Sequence, residues 1–331
     1  MCLKISSMAK IFVCQSCTAH GRCIVTRRCG AGLYNGSDLL DSHKHSKKQT
    51  TRCLPKTERS QLARKTINQH IPDVVQASAR ARSGVRSSKV LRDLKPHEPK
   101  IHAKNPSTFP KVTVVEGDTL EVAFPMCTDG GGSVAVLSMA SELRPGGGFL
   151  SGANSQEESL CMRTTLYASL QEDFYRLPEL GCVYTQDVCV FRGSYGDSQP
   201  KGASDVNPAA NWWFVDVISC AAVRGPDVDN HGSYCDPAQR DLMREKIKCV
   251  FRAAAMHGCR RLVLGAFGCG AFGNPPAEVA QLFRRVLLGR DGSGVGNRGG
   301  EFVGCFDEVT FAIKGGRRDT LPAFEAAFAI N

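Results

Sequence analysis

A strand, a glycine turn and the start of a helix decide the fold; they occupy residues 133–160, which read SVAVLSMASELRPGGGFLSGANSQEESL. Residues 133–139 form an almost unbroken apolar run, as expected of a strand that is buried on both faces. Pro145 and three glycines at 146–148 follow the run, and a helical pattern then continues through Leu160. The stretch therefore predicts a β-strand, a tight turn and an α-helix in succession.

Strands and helices alternate through the rest of residues 111–331. Runs rich in β-branched or other apolar residues occur at 111–116, 183–191, 213–223, 261–266 and 308–313. Helical stripes of apolar side chains lie between some of these runs, from Met243 to Ala254 and from Val279 to Leu287. Buried strands that alternate with amphipathic helices predict an α/β sheet covered by helices on both faces.

Charge divides the 331 residues into two parts. Residues 1–110 hold 21 Lys and Arg against 6 Asp and Glu, whereas residues 111–331 hold 21 against 26. This pattern predicts a disordered basic tail attached to a mildly acidic globular domain. A solvated extension is the favoured interpretation, and contact with a polyanion such as nucleic acid is the alternative. No apolar run approaches the roughly 18 residues that a membrane span needs, so a membrane span is excluded.

Residues 1–57 contain six of the 16 cysteines and show no sustained periodicity. Cys14 and Cys17 form a C-x-x-C pair, but no second pair completes a structural zinc site, so unpaired thiols are favoured over zinc. Cysteines within later apolar runs, such as Cys182, indicate free thiols in a reducing compartment, the cytoplasm or the nucleus. The basic, acid-free residues 1–37 leave organelle targeting as a weaker alternative.

A helix and a linker precede the predicted sheet. Apolar residues at helical spacing from Ile67 to Val75 predict a helix at 58–80, which Pro72 would kink or restart. Four prolines between residues 93 and 110 predict a linker. We therefore divide the chain into a disordered basic, Cys-rich tail (1–57), a helical addition with a Pro-rich linker (58–110) and an α/β domain (111–331).

The glycine turn at 146–148 precedes two adjacent acidic residues. Glycines let a backbone approach a ligand closely, and free N–H groups on such a turn suit a phosphate or a ribose hydroxyl. Gln156, Glu157 and Glu158 stand at the predicted helix start, where the helix dipole favours carboxylates. Adjacent helix positions point about 100° apart, so we expect one carboxylate in a pocket and one fixing its geometry. Capping of the helix is the structural alternative.

A second glycine-rich turn at residues 262–275 reads LVLGAFGCGAFGNP, between a predicted strand and a predicted helix. From Gly268 it also fits G-x-G-x-x-G, the pattern of a dinucleotide-binding oxidoreductase. Only one strand candidate follows it, whereas a Rossmann unit needs further parallel strands, so we reject that function. Cys269 suggests a nucleophile, but the sequence places no histidine to activate it.

Three glycines followed by Gln-Glu-Glu, within RPGGGFLSGANSQEESLCMRTTLYASL, resemble the signature of poly(ADP-ribose) glycohydrolases. The wider text resembles their microbial-type catalytic domain, of the macrodomain superfamily, over residues 111–331, with the helix near residue 67 as an N-terminal addition. The resemblance implies a macrodomain-like, three-layer α/β/α fold with a mixed, mostly parallel six-stranded sheet. ADP-ribose would lie in a cleft at the strand ends.

The resemblance also implies the site residues. Glu158 would be the catalytic acid and base, and Glu157 would orient the ribose that is cleaved. Substrate would further contact Gly146, Gly147, Gly148 and Gln156 in the first loop and Gly268, Cys269, Gly270, Ala271 and Phe272 in the second, which would hold the diphosphate and the distal ribose. Asp118 would hold the adenine amino group, with turn capping as the alternative. Where microbial members often have Asn-Phe, this chain has Ser138 and Met139.

The activity so implied is hydrolysis of ribose–ribose O-glycosidic bonds in poly(ADP-ribose), which releases ADP-ribose and links the protein to reversal of ADP-ribosylation and to the DNA damage response. One carboxyl group would serve as acid and base, unlike the two-carboxylate glycosidases. Residues 111–331 contain no metal-ligand constellation, and we expect no cofactor. A non-catalytic ADP-ribose reader and a hydrolase of another ADP-ribosyl substrate, such as an ADP-ribosylated protein, are the alternatives.

Overall fold

A mixed β-sheet forms the centre of the computed structural model, which describes residues 54–94, 109–193, 206–289, 301–315 and 319–329. Its seven strands are β1 (Lys89–Arg92), β2 (Lys111–Glu116), β3 (Val134–Met139), β4 (Gly181–Val190), β5 (Trp213–Cys220), β6 (Arg261–Leu264) and β7 (Glu308–Ile313). They lie in the order β1-β4-β5-β3-β6-β7-β2. The pairs from β5 to β2 are parallel, and β4 is antiparallel to both β1 and β5.

The prediction of a mixed, mostly parallel sheet is confirmed, but the count of six strands is wrong. The additional strand is β1, whose four residues pair with Gly181–Tyr184 at the start of β4. Its sequence KVLR is too short to show strand periodicity. It also lies within residues 58–110, the part of the chain for which the sequence predicts a helical addition and a linker. Pairing with a strand almost 90 residues away, rather than local sequence, therefore fixes its conformation.

Nine α-helices are described, and they cover the two faces of the sheet. They are α1 (Lys56–Lys65), α2 (Ile71–Ala77), α3 (Ala79–Arg86), α4 (Thr119–Thr128), α5 (Gln156–Arg163), α6 (Leu166–Ser169), α7 (Pro237–Met256), α8 (Pro276–Leu288) and α9 (Thr320–Phe328). Alternate β3 residues face opposite ways: Leu137 belongs to the buried cluster that includes residues of α7, α8 and α9, whereas Val136 belongs to the cluster that includes residues of α1, α4, α5 and α6. This arrangement confirms the three-layer α/β/α prediction.

The N-terminal segment is helical, as predicted, and it is interrupted near Pro72. A π-helical turn (Thr66–His70) continues α1 into α2, which carries Pro72 in its first turn. Ser78 then ends α2 and caps α3 by accepting a hydrogen bond from Ala81 N at 3.1 Å. The predictions for the tail, its cysteines and most of the Pro-rich linker fall on residues 1–53 and 95–108, outside the described part of the chain.

The sheet brings the two glycine-rich turns together. The first turn follows β3 and the second follows β6, and these two strands are parallel neighbours. Their carboxyl ends therefore lie at the same edge of the sheet, where open α/β folds place ligands. Within the described ranges, no helix is both long enough and apolar enough to cross a membrane.

Candidate active site

The first glycine turn folds back against the two glutamates. Gly146 and Gly147 have φ values of +62° and +56°, which other residues rarely adopt. A β-carbon on Gly147 would stand 2.8 Å from Glu157 Oε2 and 2.9 Å from Glu158 Oε1. Glycine is required here because the turn passes directly under both carboxyl groups, which leaves no space for a side chain.

Glu157 is almost fully enclosed, with 2% of its surface exposed. Its Oε2 accepts a hydrogen bond from Ser141 N at 2.7 Å, and the backbone of Gly146 also bonds the carboxyl group. Its other oxygen, Oε1, is buried and has no hydrogen-bond partner among the described residues. Burial, with the neighbouring charge of Glu158, raises the pKa of Glu157 to about 8 against the opposing effect of these backbone donors. Glu157 is therefore mostly protonated at neutral pH and carries an unused polar atom.

Glu158 is held by backbone donors on either side of the loop that connects the glycine turn to α5. Gly148 N donates to its Oε1 at 2.8 Å, and Ser155 N donates to its Oε2 at 2.8 Å. The Ser155 contact completes a capping box at the start of α5. A capping box does not require the Gly148 contact, which turns the carboxyl group toward the glycine turn. Glu158 thus caps the helix and is also oriented at the site.

Gln156 fastens the start of α5 to the end of β3. Its Oε1 accepts from Met139 N at 2.9 Å, and its Nε2 donates to Leu137 O at 2.6 Å and to Thr119 Oγ1 at 3.2 Å. The side-chain amide is therefore fully engaged by the protein. Its observed contacts place α5, and with it both glutamates, at a fixed position relative to the strand end.

Ser138 and Met139, where microbial members often have Asn-Phe, lie at the end of β3. Ser138 is fully buried, and its hydroxyl has no hydrogen-bond partner among the described residues. The Met139 side chain reaches the end of β6, since a β-carbon on Gly265 would lie 3.3 Å from Met139 Cε. Sulfur and methyl groups thus fill the space between the two strand ends.

The second glycine-rich turn contains both exposed and buried residues. Gly270 and Ala271 are exposed, and Phe272 is half-buried, with the Arg224 guanidinium 5.6 Å from its ring centre. Cys269 is 2% exposed, and its thiol lies 3.7 Å from the Phe267 carbonyl oxygen. The thiol therefore points into the protein, as expected of a structural cysteine rather than of a nucleophile.

Asn274 anchors this turn, although no sequence motif singles it out. Its Nδ2 donates to Val223 O at 2.6 Å and to Gly268 O at 3.1 Å, while Tyr234 Oη donates to its Oδ1 at 2.8 Å. A β-carbon on Gly268 would collide with Asn274 Nδ2 at 2.5 Å. The Asn-Pro-Pro sequence before α8 is a turn signal, but it gives no indication of these long-range partners.

Asp118 lies after β2, at the same edge of the sheet. It caps α4 by accepting from Leu120 N at 3.0 Å, and it pairs with Arg163 at 2.6 Å and Lys314 at 3.3 Å. Burial alone would raise the pKa of Asp118, but Arg163, Lys314 and the Leu120 N–H together lower it below the ordinary value. The cap is thus observed, and both carboxyl oxygens already have cationic partners.

The chain is similar to known proteins. Residues 57–193 match the family model described as microbial-type PARG, catalytic domain, where PARG denotes poly(ADP-ribose) glycohydrolase. The chain is 27% identical to the poly(ADP-ribose) glycohydrolase of Thermomonospora curvata, with a TM-score of 0.64 over 82% of this chain and 100% of that one. It is also 27% identical to the enzyme of Deinococcus radiodurans in complex with ADP-ribose, with a TM-score of 0.57 over 75% and 97% of the two chains.

A further structure of the Thermomonospora curvata enzyme, bound to the inhibitor ADP-HPD, is 28% identical over the same shares of the two chains, with a TM-score of 0.62. No curated protein matches the sequence. The family match spans the N-terminal helices, the glycine turn and both glutamates, and the structural matches cover up to 82% of the chain. Residues 57–193 are therefore similar to the catalytic domain of microbial-type poly(ADP-ribose) glycohydrolases, and the chain as a whole is similar to solved structures of bacterial enzymes of this kind.

Proposed function

We propose that the protein hydrolyses the ribose–ribose O-glycosidic bonds of poly(ADP-ribose) with Glu158 as general acid and base. The observation that carries the assignment of Glu158 is its orientation. Backbone donors on two sides aim a largely buried carboxyl group, 6% exposed, at the glycine turn. The second turn, on the neighbouring strand, offers exposed backbone at the same edge, where a diphosphate would find N–H donors and the start of α8.

In the proposed reaction, protonated Glu158 gives its proton to the departing 2′-oxygen as the bond from the anomeric carbon to that oxygen breaks. Positive charge that develops on the anomeric carbon and ring oxygen is stabilised by the diphosphate, which the second turn holds. The Glu158 carboxylate then takes a proton from a water molecule whose oxygen bonds the anomeric carbon. The products are free ADP-ribose and a shortened polymer, and Glu158 is protonated again.

Glu157 has a separate role in this proposal. With a pKa of about 8 it is mostly protonated at neutral pH, so its carboxyl group can donate one hydrogen bond as well as accept others. Its Oε1 has no hydrogen-bond partner among the described residues, while its Oε2 lies with Glu158 Oε1 within 3 Å of the position of a Gly147 β-carbon. A ribose hydroxyl would satisfy Oε1 of Glu157 and would thereby orient the ring for attack.

We also propose the cellular setting and a further contact of the protein. The cysteines buried as small apolar side chains in the strands and in α7 support a reducing compartment, the cytoplasm or nucleus. The excess of Lys and Arg in residues 1–110 supports contact with a polyanion, for which the polymer itself is the natural candidate.

The test compares ADP-ribose release from purified poly(ADP-ribose) by the wild-type protein, Glu158→Gln and the control Glu325→Gln, an exposed carboxyl group on α9. We expect Glu158→Gln to lower the rate by at least about 100-fold, the usual contribution of general acid–base catalysis. Calorimetric titration with ADP-ribose should show nearly unchanged affinity. A wild-type protein that binds ADP-ribose without releasing any from the polymer would instead be a reader or act on another ADP-ribosyl substrate.

A further inference from the structure

Helix α1 contacts the loop of residues 148–155, which joins the glycine turn to α5. Arg59 Nε donates to Gly152 O at 2.8 Å, and Ser60 Oγ donates to Leu150 O at 2.7 Å. Arg59 also donates through Nη1 to Leu54 O, so its guanidinium group is held on both sides. Two side chains of the N-terminal segment thus bond the backbone of a loop that lies about 90 residues later in the sequence.

The contact at Gly152 is backbone against backbone. Gly152 has a φ of +75°, and a β-carbon there would stand 2.1 Å from Lys56 O and 3.1 Å from Ser60 N. Hence α1 lies directly on the loop at this point. Its position relative to Gly152 is fixed by van der Waals contact as well as by the Arg59 hydrogen bond.

The same loop supplies both backbone donors to the Glu158 carboxyl group. Gly148 N and Ser155 N each donate to it at 2.8 Å, and Gly152 lies between them in the chain. The two points where α1 bonds the loop, Leu150 and Gly152, therefore fall between the two points where the loop bonds Glu158. A movement of the middle of the loop would displace the donors on one or both sides.

The continuation of α1 also reaches the far end of α5. Thr66 Oγ1 donates to Met162 Sδ at 3.7 Å and accepts from Arg192 Nη1 at 3.1 Å, and Arg192 Nη1 also bonds Met162 O. The N-terminal segment thus contacts both the loop before α5 and the last turn of that helix. Because of this second attachment, α1 can hold the loop in a fixed position relative to α5.

We propose that α1 positions the catalytic loop, with Arg59 as the positioning residue that keeps the Gly148 and Ser155 donors on Glu158. This inference rests on the proposed role of Glu158. Loss of the Arg59 contact should misplace the carboxyl group by a fraction of an ångström to about 1 Å, an error that costs on the order of 10- to 100-fold in rate. The diphosphate-holding turn is on another strand, so substrate binding should change little.

The experiment measures kcat and KM for ADP-ribose release together with hydrogen exchange of peptides that cover residues 148–155. The variants are Arg59→Ala, Arg59→Lys and the control Arg64→Ala, which removes an exposed arginine from the same helix. We expect Arg59→Ala to lower kcat at least about tenfold with KM nearly unchanged, and to speed exchange in the loop. Lysine, which retains a cationic hydrogen-bond donor group, should recover part of kcat, and Arg64→Ala should match the wild-type protein.

A second pair of variants separates the contact from general destabilisation. Gly152→Ala and Gly258→Ala both place alanine at a positive φ, +75° and +70°, but only the first introduces a collision. Gly152→Ala should reproduce the kcat and exchange effects, whereas Gly258→Ala should show only a modest decrease in Tm. Unchanged loop exchange in Arg59→Ala, or an equal kcat loss in Gly258→Ala, would overturn the proposal. A wild-type protein without glycohydrolase activity would instead refute the proposed function, and loop exchange would still report on α1.

Discussion

Glu157 and Glu158 are consecutive residues, yet their carboxyl groups converge on Gly147. One oxygen of each lies within 3 Å of the point where a Gly147 β-carbon would stand. Their backbone directions differ by about 100°, and the long side chains in the first turn of α5 bend back to the same place. Their hydrogen bonds remain distinct: Ser141 N bonds Glu157, whereas Gly148 N and Ser155 N bond Glu158. Two neighbouring carboxyl groups thus share one location and differ in their partners.

Gly147→Ala is expected to remove activity while the protein remains folded. The new β-carbon would lie under 3 Å from both carboxyl groups, and the φ of +56° is unfavourable for alanine. We expect kcat to fall by at least about 100-fold, since the reacting group moves, and stability to fall by about 1–2 kcal/mol. Enzyme assays and urea unfolding measure the two effects.

The matched control is Gly130→Ala, which has a φ of +78° and open space around the new methyl group. It should lose a similar stability and keep its activity. Equal kcat values for the two variants would contradict the close packing of the turn against the glutamates.

Glu157→Gln should change the pH dependence of stability. The pKa of Glu157 rises from an ordinary 4.5 to about 8 in the folded protein, because burial disfavours its charge. Between these values the folded state keeps a proton that the unfolded state releases, so the wild-type protein loses stability as pH rises from about 4.5 to about 8. The glutamine side chain at position 157 of the variant carries no ionisable group. The free energy of unfolding of the variant relative to the wild-type protein should therefore rise over that window by up to about 1.4 kcal/mol per pH unit.

Urea unfolding at pH 5.5, 6.5 and 7.5 measures this difference. Glu325→Gln, in which an exposed carboxyl group is neutralised, serves as the control and should run parallel to the wild-type protein. If the Glu157→Gln curve also ran parallel, Glu157 would not hold its proton at neutral pH, and it could not act as a hydrogen-bond donor to ribose.

Two glycines of the second turn should respond differently to alanine. A β-carbon on Gly268 would lie 2.5 Å from both Ala222 Cβ and Asn274 Nδ2, at a φ of +73°, whereas no described atom lies within 4 Å of one on Gly270. Gly268→Ala should therefore lower the free energy of unfolding by about 2–3 kcal/mol, with a corresponding decrease in Tm. It should also lower the affinity for ADP-ribose.

Gly270→Ala should leave Tm nearly unchanged and still weaken ADP-ribose binding, by about tenfold, because its methyl group would occupy the side of the turn that faces the ligand. Calorimetric titration and thermal unfolding report the two quantities. Unchanged affinity in Gly270→Ala would place the diphosphate elsewhere.

The sequence predicts the fold well where the pattern of apolar side chains extends over six or more residues. The predicted strands at 111–116 and 308–313 coincide with β2 and β7, and the run at 133–139 gives β3 within one residue. By contrast, β1 depends on pairing with β4, which leaves little trace in four residues. Local patterns are read from local sequence, whereas a short edge strand is determined by its distant partner.

The same division applies to the site. The two turns and the glutamates are visible as motifs, because glycines and carboxyl groups are needed at fixed spacing. The groups that orient them are mostly backbone N–H donors, at Ser141, Gly148 and Ser155, and any residue type except proline supplies such a donor. Asn274 is a side chain, but its partners Val223 and Tyr234 are 40 or more residues away. Backbone donors, which residue type does not reveal, and the distant partners of Asn274 therefore account for what the motifs did not show.

The pairing of β1 with β4 has a practical consequence for anyone who shortens this protein. A fragment that starts at residue 111, where the strand pattern of the α/β domain begins, would lack β1 and expose the backbone of Gly181–Tyr184. An uncovered strand edge is a template for association between copies, so such a fragment should be prone to aggregate. The shortest well-behaved recombinant form should therefore begin before Lys56, so that it retains both β1 and the helix that lies on the catalytic loop.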